Sequence, residues 1–212
     1  MSKVKVGFFS FTEITDPNEH HSYNEWHMLD HMPEQYPLDG IVYGQRWVST
    51  PACHAARAAS GAQLDPIHYV TLYLMSEPVE RTLQEFMALG RALHEKDRFH
   101  LHRKARLSGP FPLDAIAVAP RVLISPEAVP YRPNRGVYVV VQPVGAAAPD
   151  LDALCATAGV AGAWRFAEAE RRITVAWLDD APLDVRAPAG ADGAEFAGPF
   201  ETITPWQWNW FD

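Results

Sequence analysis

Apolar and polar positions alternate at the start of the chain, Val4, Val6 and Phe8 against Lys3, Lys5 and Gly7, which predicts a strand over residues 4–13. The period then lengthens. Between about Ser22 and Tyr36, Met28, Leu29, Met32, Pro33 and Tyr36 gather on one side of a 3.6-residue repeat. This predicts a helix, with Asn18 or Ser22 as its cap. Ile41–Ser49 alternates again as a strand, 51–66 is a small-residue loop, and His68–Met75 is a third strand. Pro78 opens a second helix from Val79 to about Phe99, with Leu83, Phe86, Met87, Gly90 and Leu93 on one stripe. Ala115–Val118 belongs to a fourth strand, so the element order is β-α-β-β-α-β.

The order then begins again. A proline-rich linker spans 121–135. Gly136–Val144 reads as a buried strand, Leu151–Ala158 as a short helix, and Ala163–Ala167, Ile173–Leu178 and Ile203–Phe211 as strands. Three local matches recur in register: GQRW (44–47) with GAWRF (162–166), YLMSEP (73–78) with AWLDDAP (176–182), and SGPF (108–111) with AGPF (197–200). The expected fold is α+β, two tandem ferredoxin-like modules with the second helix of the second copy reduced. Their bare sheet faces would press together as a sandwich of antiparallel sheets. The expected organisation is a module at 1–120 bearing the site, a linker at 121–135 and a degenerate structural module at 136–212. The pairing is expected within one chain as a pseudo-dimer, with a homodimer as the alternative.

Composition narrows the partners. A formal charge of −8 over 212 residues disfavours nucleic acid and anionic membrane surfaces. The first residues lack the features of a signal peptide, and Cys53 and Cys155 form no motif, so a cytoplasmic protein is expected. Phosphate loops, nucleophile elbows and CxxC pairs are missing, which leaves nucleotide cofactors, serine hydrolysis and dithiol chemistry without support. The expected partner is a small molecule, with a non-catalytic binding protein or a structural, stress-related module as the alternatives to an enzyme.

The segment YNEWHMLDHMPEQYPLDGIVYGQRW (23–47), through Trp26, His31-Met32-Pro33-Glu34, Pro37 and Gly40, resembles the EthD-like branch of the dimeric α/β-barrel superfamily. The resemblance implies a barrel built from ferredoxin-like units. It also implies a choice among cyclases, lactone isomerases, cofactor-free monooxygenases and haem-handling proteins. It favours His31 as the working residue.

Chemistry is concentrated in one half. All nine histidines precede residue 103. At 100° per residue Tyr23, His27, His31 and Glu34 fall on one helical stripe, which is either a solvated face or the edge of a cleft. His31, His27 and Glu34 are the candidate catalytic groups; Tyr23, Trp26, Tyr43, Tyr73 and His94 are the candidates for holding substrate. No cofactor is expected. Haem, or a divalent metal on the His-x-x-x-His pair with Glu34 or a distant histidine as third ligand, remains an alternative. The basic run with Arg98, His100, His102, Arg103, Lys104 and Arg106 reads as a solvated helix end or loop. Arg46 and its counterpart Arg165 read as structural ion-pair partners.

Overall fold

Strands buried on both faces need apolar residues at every position, and VYVVV after Gly136 and YVTLYLM from Tyr69 supply them. The computed structural model describes residues 3–186 and 193–211. Its strands are β1 (Val4–Ile14), β2 (Ile41–Val48), β3 (Ala59–Ser60), β4 (Tyr69–Ser76), β5 (Arg103–Val118), β6 (Gly136–Pro143), β7 (Val160–Ala167), β8 (Arg171–Leu178) and β9 (Phe196–Thr202). Its α-helices are α1 (His20–Trp26), α2 (Met32–Gln35), α3 (Pro51–Ala55), α4 (Val79–Glu95) and α5 (Leu151–Cys155).

Eight strands form one antiparallel sheet in the order β2-β4-β1-β5-β7-β8-β6-β9, and β2 pairs with β9 to close it, Trp47 opposite Thr202 and Val48 opposite Glu201. The short β3 extends the free edge of β9. This corrects the expected fold. The chain does not build tandem ferredoxin-like α+β modules stacked as a sandwich of two sheets. It builds a single closed barrel with few helices. Among the described α-helical segments only α4, with 17 residues, is longer than seven, although α1 and α2 are joined by a π turn into one helical run. The tandem-repeat and α/β-barrel descriptions fall with that correction. Closure satisfies the ladder groups of β5 and β7, and of β2 and β9, that a face-to-face sandwich would leave as open edges.

Alternation along each strand separates two environments. Phe9 and Phe11 of β1, Val70, Leu72 and Leu74 of β4, Val137, Val139 and Val141 of β6, and Trp164, Phe166, Val175 and Trp177 of β7 and β8 fill the barrel. An eight-stranded barrel is about wide enough for side chains alone to pack it. The intervening residues face outward. In the first half Val6, Phe8, Tyr73 and Met75 meet Met32 and Phe86 from the helices. In the second half Tyr138, Ala163, Ala176 and Ala197 meet Leu151, Leu154 and Cys155 of α5.

Other boundaries differ from expectation. β5 is much longer than the predicted 115–118. It pairs with β1 over residues 103–112 and with β7 over 113–118. The first stretch therefore has one edge free, where Pro110 and Pro112 are tolerated. The last strand is Phe196–Thr202, not Ile203–Phe211. The residues after it form a non-strand tail. Trp208 is buried there, Trp206 is exposed, and Phe211 stacks on His20 of α1 at 3.8 Å between ring centroids. The predicted loop at 51–66 contains α3 and β3. Of the Ala/Gly/Pro/Asp stretch at 183–195, residues 187–192 lie outside the described residues. No helix of the described residues is long and apolar enough to cross a membrane.

Candidate functional site

Residues 20–35 are helical throughout, but the middle, His27–His31, is a π turn in which the N–H of Met32 reaches the carbonyl of His27. Pro33 explains the widening. It has no N–H, and its ring would collide with the carbonyl four residues earlier in a regular α-helix. A wider turn just before it relieves both problems. Such turns concentrate at functional sites. This one begins and ends on a histidine, and the rings of His27 and His31 stand edge-to-face with centroids 5.1 Å apart.

Both rings line a cavity of about 340 Å³ between the outer face of the first-half sheet and the helices. Its floor is Phe8 and Ser10 of β1, Thr71 and Tyr73 of β4, and Arg103 and Ser108 of β5. Gln35 and the α4 residues Phe86, Gly90, Arg91 and His94 complete it, with Phe99 beside them. The volume lies at the lower end of the range for small-ligand pockets. The shell is mostly apolar, yet several polar atoms of the residues lining it are buried without a protein partner: Nδ1 of His27 and of His31, Oε1 of Gln35, and the hydroxyls of Thr71 and Tyr73. Buried polar atoms are nearly always paired, so this convergence is informative.

Electrostatics set the protonation states. Burial holds His27 well below its ordinary pKa, helped by the charges of Arg46 and Arg103. Burial and Arg103 bring His31 down to about 4. Both imidazoles are therefore uncharged near neutrality. Burial pushes the Tyr73 hydroxyl up, so it stays protonated. Trp26 stacks on His31 at 4.6 Å and donates from Nε1 to the Arg98 carbonyl at 2.8 Å, which fixes the indole and, through it, the imidazole.

The expected site residues divide. His27, His31, Tyr73 and His94 line the cavity, with His94 exposed at its margin. Trp26 supports it from behind His31. Glu34 does not reach it: its carboxylate accepts from Arg98 at 2.8 Å, beside Asp30 at the same distance. Glu34 therefore completes no metal site with the two histidines. The one group of three potential metal ligands among the described residues is Asp16, Glu19 and His102, and none of these lines the cavity. Tyr23 is fully buried, packed on Tyr69 and His27. Tyr43 shares the face of Trp47 and so packs against the barrel core and Tyr131; the register slip between Ile41 and Tyr43 sends Ile41, not Tyr43, to the outer face. Arg46 is not an ion-pair residue: it donates to Oδ1 of Asn24 at 3.1 Å and lies over Tyr23 and Tyr69. Arg165 does form an ion pair, with Asp114.

Sequence reasoning missed Arg103, Thr71, Ser10 and Gln35. Alternation gave no signal for Arg103, because a register shift in β5 between Ala105 and Leu107 brings Arg103 and Ser108, five residues apart, to the same cavity.

A scan against protein-family models finds no match. A search of curated proteins finds none either, so the likeness of residues 23–47 to EthD-like proteins rests on those residues alone.

Proposed function

We propose that the cavity binds a small organic molecule and that His27 and His31 exchange protons with it. The reaction class is cyclisation, isomerisation or cofactor-free oxygenation of an aromatic or polyketide-like substrate. One observation carries this reading. Two uncharged imidazoles whose Nδ1 atoms have no protein partner belong to residues lining the same mostly apolar cavity as Thr71 and Tyr73, whose hydroxyls are also unpartnered. A neutral imidazole offers one N–H and one lone pair, so it can polarise a carbonyl or take a proton from an adjacent carbon. Phe8, Phe86 and Phe99 supply the apolar walls for a ring.

The test is deuterium wash-in, followed by NMR, at the activated C–H of a panel of enolisable aromatic ketones and diketones. Wild-type protein is expected to catalyse exchange. His31→Gln and His27→Gln are expected to slow it by about 10²–10⁴-fold with the melting temperature retained, the usual scale for a positioned acid or base. A double variant that exchanges as fast as wild type overturns the reading. The low basicity of His31 favours a second reading, non-catalytic ligand binding, and a ligand-induced thermal shift without exchange would select it.

A further inference from the structure

Arg103 has a place in the cavity that the proton-transfer reading does not explain. It enters at the first residue of β5, and burial pulls its guanidinium below its ordinary pKa without neutralising it. The nearest arginines in sequence are matched, Arg98 with Asp30 and Glu34 and Arg106 with Glu13, while Arg46 has at least the amide oxygen of Asn24. Arg103 has neither a carboxylate nor a hydrogen-bond acceptor among the described residues. Its guanidinium carbon lies 4.8 Å from the centroid of Phe99 and 5.7 Å from that of Trp26. The guanidinium lies over both rings, and no protein acceptor among the described residues meets its N–H groups. The cavity is lined by Arg103 and Arg91 and by no Asp or Glu, in a chain whose formal charge is −8.

We infer that the ligand is an organic anion, a one- or two-ring aromatic carboxylate whose oxygens meet the N–H edge of Arg103. This rests on the small-molecule reading of the same cavity and names the substrate class for it. A half-buried cation without a counter-ion is only partly compensated by water, and a planar guanidinium matches a carboxylate through two parallel hydrogen bonds. With the carboxylate on Arg103, the ring lies along Phe99 and Phe86, and the unpaired hydroxyls of Thr71 and Tyr73 and Nδ1 of His31 remain for a second oxygen substituent. The cavity volume limits the body to about two rings.

The test titrates the full chain with benzoate- and naphthoate-type carboxylates, their primary amides, and inorganic phosphate. Calorimetry and tryptophan fluorescence are the readouts. The carboxylates are expected to bind about 10- to 100-fold more tightly than the amides, the scale of a hydrogen-bonded charge, and more tightly than phosphate. Arg103→Met keeps an apolar stem against Phe99 and should make carboxylates and amides bind alike. Arg103→Lys keeps the charge without the planar fork and should retain part of the preference, which secures the result should the Met variant fold poorly. Equal affinity of amides and carboxylates in wild type, tighter binding of phosphate, or binding by no member of the set overturns the inference. The deuterium-exchange test stands apart from these outcomes: His31→Gln can abolish exchange while the carboxylate preference persists, and the reverse result separates the two claims.

Discussion

The two halves of the barrel present different outer faces to the elements that cover them. In the second half the face is Ala163, Ala176 and Ala197 with Tyr138, and five-residue α5 sits directly on it through Leu151, Leu154 and Cys155. In the first half the corresponding face carries Ser10, Thr71, Tyr73 and Ser108, and the helical run 20–35 and α4 span it. Small flat residues let a helix approach. Larger and hydroxylated residues beneath two helices leave a gap. The difference teaches that the interior shared by both halves supplies the stability, while one outer face holds groups that stability alone would not select.

The largest test of that division compares interior with cavity. Phe166 is fully buried and meets Phe9 edge-to-face at 5.2 Å. Phe166→Ala should destabilise the protein by about 3–5 kcal/mol, read as a fall in the urea midpoint. A contrast of intermediate size sits on the two outer faces. Ala176 is sealed against α5, so Ala176→Leu should cost about 1–3 kcal/mol by overpacking. Gly90 lies inside α4 with nothing within 4 Å of where a Cβ would stand. Gly90→Met should leave stability equal or raise it by about 0.5–1 kcal/mol through helix propensity, while its side chain obstructs ligand entry. Equal destabilisation by both outer-face variants would erase the contrast.

Legibility followed the same division. His27 and His31 could be found because their four-residue spacing on an amphipathic helix survives as a stripe, and the π turn keeps them together. Arg103 could not be found. A strand that pairs on one side and carries Pro110 and Pro112 on the other breaks the alternation that identifies strands, so its first residues read as a loop. Tyr43 misled for a different reason: it is in phase with Trp47, and the closed sheet makes that face the barrel interior and not the cavity side. Closure of the sheet was invisible because β9 contains Gly198 and Pro199, whereas the Trp-rich tail after it has the better apolar period but finds no partner strand. Glu34 had the right phase on the helix but the wrong neighbour, since Arg98 captures it first.

Acid should act on the first half alone. Burial lowers His20, His31 and His68 to about 4 each, from 6.5, and also holds His27 well below 6.5. Between those limits the unfolded chain binds protons that the folded chain refuses, so stability rises with pH there. Their contribution is intact above about pH 6.5 and is lost progressively as pH falls toward 4. Urea midpoints from pH 7 to pH 4 should decline in wild type. They should decline less steeply in His31→Gln and unchanged from wild type in slope for Ala176→Leu. A slope unaffected by His31→Gln would mean that its ring is not buried as the cavity requires.

The smallest expected effect is also the sharpest discriminator. Thr71 faces Arg46 across β4 and β2, and Thr174 faces Arg165 across β8 and β7. Both hydroxyls are buried without partners. Removing an unsatisfied buried hydroxyl relieves its desolvation, so Thr71→Val and Thr174→Val should each be neutral or stabilising by up to about 1 kcal/mol in thermal melts. As structural elements the two threonines are therefore equivalent. They differ only in what lies beyond them, since Thr71 borders the cavity and Thr174 does not. With a bound aromatic carboxylate whose second oxygen meets Thr71, Thr71→Val should weaken binding by about threefold to tenfold, and Thr174→Val should leave it unchanged. Equal ligand affinities in the two variants would show that the unpaired groups of the first half are as idle as those of the second, and that the cavity is a packing gap.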